Sequence, residues 1–150
     1  MAEPLAAGPE LDALVFERVF GAERCATPWR DPYSGDLYHH RIRNTDGLPP
    51  TWLYDEPEHY STTWEGMQLV VERMMVEGWA LWSMKNDWQH YEGGHLSETR
   101  CWRAMFGKLR QGSIPSSFGE GEADTAPLAV CRAALKALAP SCQPGAILAI

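Results

Sequence analysis

Apolar residues recur at helical spacing between Trp64 and Met75. Trp64, Met67, Val70, Val71, Met74 and Met75 form one broad stripe, with Glu65, Gln68, Glu72, Arg73 and Glu77 on the other side. Thr62 and Glu65 have the spacing of a capping box, which predicts an N-cap at Thr62. Gly78 supplies the left-handed residue on which helices commonly end. The period then shortens to two. Ala80, Trp82 and Met84 alternate with Trp79, Leu81 and Ser83, as in a pleated strand with bulk on both faces. Upstream, Leu11, Leu14, Val15, Val19 and Phe20 mark an amphipathic helix from Glu10 to Gly21, with Asp12, Glu17 and Arg18 exposed. Downstream, Gly93-Gly94 predicts a turn between a short strand near Trp88–Tyr91 and a longer one at Thr99–Phe106. That gives a meander of three antiparallel strands. A last helix starts at Asp124 or Thr125, tolerates Pro127 in its first turn, and buries Leu128, Cys131, Leu135 and Leu138. Its small Ala129, Ala133, Ala134 and Ala137 allow close approach to a sheet, and Pro140 ends it.

The other stretches carry no such period. Residues 1–9 read as a loose start, and 107–123 as a flexible loop dense in Gly and Ser. Residues 22–59 read as a long irregular insertion, broken by Pro-Pro, Asp-Gly and Ser-Gly steps, with a possible hairpin at Ser34-Gly35 whose one arm is Leu37–Arg43. A connection of that length is commonly functional. Residues 141–150 form an apolar tail ending Ile147, Leu148 and Ile150, suited to an edge or subunit contact.

Helix, irregular region, helix, three strands and helix, in that order, make a single α+β domain over residues 1–150. Two segments carry a family resemblance. Tyr60-Ser61-Thr62, Trp64 and Val70-Val71-Glu72 resemble a block of the small phage proteins called the phage ABA sandwich family, and Ala123–Leu135 resembles that family's closing helix. Leu11–Val15 resembles its opening. With the strands between them these cover about half the chain, in the family's order. The resemblance implies an α-β-α sandwich, a three-stranded antiparallel sheet packed between helices, encoded by a phage or prophage. It brings no catalytic residues. The insertion at 22–59 and the apolar tail depart from the family, so any activity peculiar to this member is expected there.

Composition narrows the function classes. An apolar fraction of 45% with seven Trp places the chain among globular proteins. The net charge of −7, with no basic cluster beyond Arg41 and Arg43, disfavours extended nucleic-acid binding. No run of about 18 apolar residues predicts a membrane span, and the start lacks the pattern of a signal peptide. A protein of the host cell cytoplasm is expected. Cys25, Cys101, Cys131 and Cys142 lack C-x-x-C spacing, which favours reduced thiols over a Cys101–Cys131 disulfide.

No nucleophile elbow, P-loop or dinucleotide glycine pattern is present, so the reading leans against an enzyme, with no catalytic residues and no cofactor assigned. Cys25, His39, His40 and His59 are zinc-ligand types without a zinc framework, and adjacent histidines on a strand face opposite ways, so no metal site is assigned. Asp87, His90, His95 and Glu98 flank the Gly-Gly turn, where polar residues belong in any case; together they are the acid/base group that a nucleotide hydrolase would use. The most suggestive set is His39, His40, Arg41, Arg43, Trp52 and Tyr54. Aromatic faces stack on bases, and arginine forks pair with phosphate. The set fits non-catalytic capture of a small nucleotide, such as a bacterial defence signal. The alternative is a protein–protein contact, with a second copy of the chain or with a host or phage protein.

Overall fold

The computed structural model describes residues 5–44, 51–87, 90–92, 95–97, 101–108 and 117–139. In chain order the elements are α1 (Pro9–Arg18), β1 (Glu23–Arg30), β2 (Leu37–Asn44), β3 (Thr51–Asp55), α2 (Trp64–Val76), β4 (Trp79–Asp87), β5 (His90–Glu92), β6 (His95–Ser97), β7 (Cys101–Lys108), β8 (Ser117–Ala123) and α3 (Ala126–Leu138). Two three-stranded antiparallel sheets, β1-β2-β3 and β4-β7-β8, accompany the three helices, and β5 and β6 pair as a separate hairpin. The α+β class and the helix-packed antiparallel sheet are as the sequence predicts.

Two stretches expected to be irregular are pleated instead. The insertion at 22–59 holds the whole β1-β2-β3 sheet. Residues 107–123 close β7 and contain β8, which supplies the third strand of the helix-packed sheet. Of the short strand expected near Trp88–Tyr91, His90 and Tyr91 belong instead to the β5–β6 hairpin, where Tyr91 pairs with Leu96, and residues 88–89 lie outside the described residues. Gly93-Gly94 lies outside the described residues, as does the tail 141–150.

The helix α2 starts one residue later than the capping box predicts. Thr63 is the N-cap, and its hydroxyl accepts the Gly66 N–H at 3.0 Å. The position three residues on must be glycine, because a Cβ on Gly66 would fall onto the His59 carbonyl. Met67, Val70 and Met74 are buried as expected, whereas Trp64 and Met75 are exposed. The stripe is therefore narrower than the sequence suggests. Gly78 does end the helix, at φ +90°, and β4 follows at once.

Strand pairing sets the layers. Leu81, Met84, Trp102, Ala104 and Phe106 share the face of the β4-β7-β8 sheet that meets the helices, and Ala104 and Phe106 are fully buried there. On β8 the same face carries the small residues Gly119, Gly121 and Ala123. These small residues let the α3 backbone come down onto the strand. A Cβ at Gly121 would strike the Ala129 carbonyl and the Ala133 amide, and one at Gly119 would strike Ala133 and Ala137. The alanines of α3 thus do allow the close approach expected of them. Helix α3 is consequently buried round most of its girth, with Ala129, Val130, Cys131, Ala133 and Ala134 inaccessible to solvent.

Helix α1 packs beside α3 and carries Leu11, Val15 and Phe16 into the core. Residues 5–9 are tied down rather than loose. The Gly8 N–H donates to Ser61 Oγ (3.0 Å), and Arg132 donates to the Leu5 carbonyl (3.1 Å). Asp12, expected on the exposed side, is buried. Its Oδ1 accepts both the Ser61 N–H (2.8 Å) and the Ser61 hydroxyl (2.7 Å), which meets the cost of burying the carboxylate. Next to this lock, Tyr60 stacks on Phe20 with ring centroids 4.9 Å apart. Cys25, Cys101 and Cys131 are free thiols.

Burial, then the Asp12 charge, pushes the Cys131 thiol up to about 12; burial foremost also pushes the Tyr60 phenol up to about 12. In both groups the folded state holds its proton above the unfolded value, of about 9 and 10 respectively, so stability is intact below those values and falls as pH rises towards 12. Chemical denaturation between pH 8 and 11.5 should therefore show stability dropping from about pH 9 onward, by roughly 1.4 kcal/mol per pH unit for each group while it titrates. Cys131→Ala should lose the part of that slope that begins near pH 9.

Candidate functional site

The pairing of β1 with β2 is set by the turn between them. Between β1 and β2, Asp31 accepts the Tyr33 N–H on its side chain (2.8 Å) and the Gly35 N–H on its carbonyl (2.9 Å). Gly35 sits at φ +79°, and its carbonyl accepts from Arg30 Nη1 at 2.7 Å. This is the hairpin that Ser34-Gly35 predicts, with β2 as its second arm.

Alternation along β2 then sorts the candidate residues. His39, Arg41 and Arg43 point to one face, and β3 adds Tyr54 opposite Arg41 and Trp52 opposite Arg43. His40 points the other way, as adjacent strand residues must. It is buried against α1, edge-on to Phe16 at 5.5 Å, with Nε2 3.5 Å from Glu17. The structure thus brings five of the six expected residues to one surface and assigns His40 to the inner side.

On that surface the side chains are already arranged. Arg41 lies over the Trp52 ring, its Cζ 4.1 Å from the centroid, and two of its nitrogens donate to Glu23 Oε2 at 2.9 and 3.2 Å. Tyr54 stacks on Trp29 at 4.3 Å with 12° between the planes. Arg43 is exposed and has no ion pair among the described residues. His39 donates its backbone N–H to Glu56 (2.6 Å), and its Nδ1 is 3.4 Å from the same oxygen. Burial first, then Asp36, Asp31 and Asp55, raises the pKa of Tyr38 at the hairpin end and keeps its phenol protonated.

The feature that sequence reasoning missed is a large bulge. Arg24 pairs with His40 and Trp29 with Tyr38, so residues 25–28 stand opposite His39 alone. Pro28 lacks the N–H for a ladder bond, which suits it to a bulge; this was the available signal. The bulge walls an open pocket of about 550 Å³ whose other side is Trp29, Arg41 and Tyr54. A small planar anion would find aromatic faces there and the guanidinium groups of Arg24 and Arg41. Beyond the bulge, a second pocket of about 430 Å³ opens towards α1.

Among the described residues no three His, Cys, Asp or Glu side chains are placed to hold a metal ion. Of the hairpin-end group, Asp87, His90 and His95 belong to β4, β5 and β6, while Glu98 lies outside the described residues. No helix of the described residues is long and apolar enough to cross a membrane.

No protein-family model matches the chain, and no curated protein matches it. Among solved structures it is similar to a phage protein from Bacillus cereus ATCC 14579, with TM-score 0.53 and 15% identity over 95% of this chain and 98% of that one. At that identity the likeness is one of fold.

Proposed function

We propose that the chain is a phage-encoded accessory protein that acts in the host cytoplasm by non-catalytic binding, capturing a small nucleotide-type ligand such as a bacterial defence signal. The observation that carries this reading is the pocket between the 25–28 bulge and the β2–β3 face, with Trp29 and Tyr54 as a stacking wall and Arg41 at its side. A base would slide against the aromatic pair, and its phosphate would reach Arg41 or Arg43. The fold shared with a phage protein supports the lineage and leaves the ligand to the site itself.

The test is ligand retention. The protein is incubated with a panel of cyclic nucleotides and ADP-ribose, washed, and heated to release what it holds. Intact ligand is expected. Arg41→Ala with Arg43→Ala, and separately Trp29→Ala, should each lower retention about tenfold or more, in line with one lost charge-assisted or stacking contact. Release of altered ligand would favour a hydrolase. An empty protein would favour the contact reading, for which α2 offers exposed Trp64, Met75 and Val76.

A further inference from the structure

Arg41 is a cation of the proposed nucleotide site, and two other groups already hold it. Its Cζ lies 4.1 Å from the centroid of the Trp52 ring, and Oε2 of Glu23 accepts from its Nε at 3.2 Å and its Nη2 at 2.9 Å. Strand register brings the carboxylate there, because Glu23 stands directly opposite Arg41 where β1 pairs with β2. The two holders differ in kind. An aromatic face attracts a guanidinium without using up its hydrogen-bond donors, whereas the carboxylate takes two of the five N–H groups. A phosphate needs those donors too, so it competes with Glu23 and not with Trp52.

The carboxylate is also the holder that can give way. Arg41 is 37% and Glu23 52% exposed, and an ion pair so open to water is weak, equivalent to no more than about a fivefold change in an equilibrium constant. Glu17, which holds Arg24 at 3.1 Å, is only 27% exposed and also lies 3.5 Å from buried His40, so that pair is the more firmly seated. We infer that Glu23 is the resident counter-ion of this site: it holds Arg41 until the phosphate of a nucleotide-type ligand takes its place, while Trp52 keeps the guanidinium in position. The inference rests on the nucleotide reading above. It makes Glu23 a residue that sets what the site accepts, since every anion must displace it. A free anion meets that cost with its charge alone. A nucleotide adds stacking on Trp29 and Tyr54, and so stays in range when small anions do not.

Titration calorimetry on the full chain decides it, with ADP-ribose as the anionic probe and adenosine as the probe that stacks without charge. Glu23→Gln keeps an oxygen able to accept from Arg41 and removes only the competing charge. It should bind ADP-ribose about two- to fivefold more tightly than the wild type and adenosine equally well. In an Arg41→Ala background the gain should shrink to less than about half, as a double-mutant cycle reads it. A carboxylate that merely positioned Arg41 would give the opposite sign, with ADP-ribose weakened. Unchanged or weaker ADP-ribose binding by Glu23→Gln, or a full gain without Arg41, would overturn the counter-ion role and leave the nucleotide reading standing. No binding of either probe by either protein up to about 10 mM would overturn both.

Discussion

Gly121→Val is expected to cost about 3 kcal/mol or more, at the upper end of overpacking effects. The new Cβ would meet main-chain atoms of α3, the Ala129 carbonyl and the Ala133 amide, and no side-chain rotation relieves that contact. Either α3 lifts from the sheet and opens voids beside Phe106 and Val130, or β8 detaches. Both outcomes expose core. Thermal unfolding followed by near-UV circular dichroism should show a midpoint lower by about 10 °C for a chain of this length. Gly35→Ala is the control. There a Cβ meets nothing, and only the positive φ is penalised, so a loss of about 1 kcal/mol is expected. Equal losses in the two variants would mean that α3 does not lie as close to β8 as described.

The second large effect lies on the opposite side of α3. Asp12→Ala should cost about 2–4 kcal/mol, because it removes two charge-assisted hydrogen bonds and strands the buried Ser61 N–H. Asp12→Asn keeps one acceptor oxygen and should lose about half as much. Ser61→Ala breaks the link to Gly8 as well, yet it leaves the Ser61 amide bonded to Asp12. A double-mutant cycle between Asp12→Ala and Ser61→Ala in urea should give a coupling energy of about 1 kcal/mol or more. Additivity would contradict the direct contact. Because Asp12 is the second cause of the raised Cys131 pKa, its removal should also bring that thiol's titration somewhat lower.

The contrast between these two sites explains what could be read from the chain alone. Periodicity exposes elements whose two faces differ in polarity, as in the buried side of α2, the β4 repeat and the line of α3. Strand β8 alternates by size instead. Phe118, Glu120 and Glu122 face away while Gly119, Gly121 and Ala123 lie under α3, so its composition reads as a loop. Strand β1 hides for another reason, since it is almost wholly exposed and its register is broken by the bulge before Trp29. Asp12 was misread because a charged residue in a first helical turn normally faces water; only the distant Ser61 turns it inward.

The candidate surface was legible in part. Alternation alone places His39, Arg41 and Arg43 together, and a hairpin at Ser34-Gly35 gives β2 a neighbour. Nothing in the local pattern reveals that Tyr54 would stack on Trp29, because that contact depends on the three extra residues of the bulge. Glu23 was equally hidden. It is met only once the strands pair and bring it opposite Arg41.

Among the described residues the two larger sheets share no ladder bond. The one that carries the aromatic surface leans on the hydrophobic interior through the inward residues of β2, His40 and Ile42. Exchanging its outward residues therefore leaves the buried core untouched. Such a platform can be rewritten for a new ligand one side chain at a time, while the rest of the molecule keeps its shape.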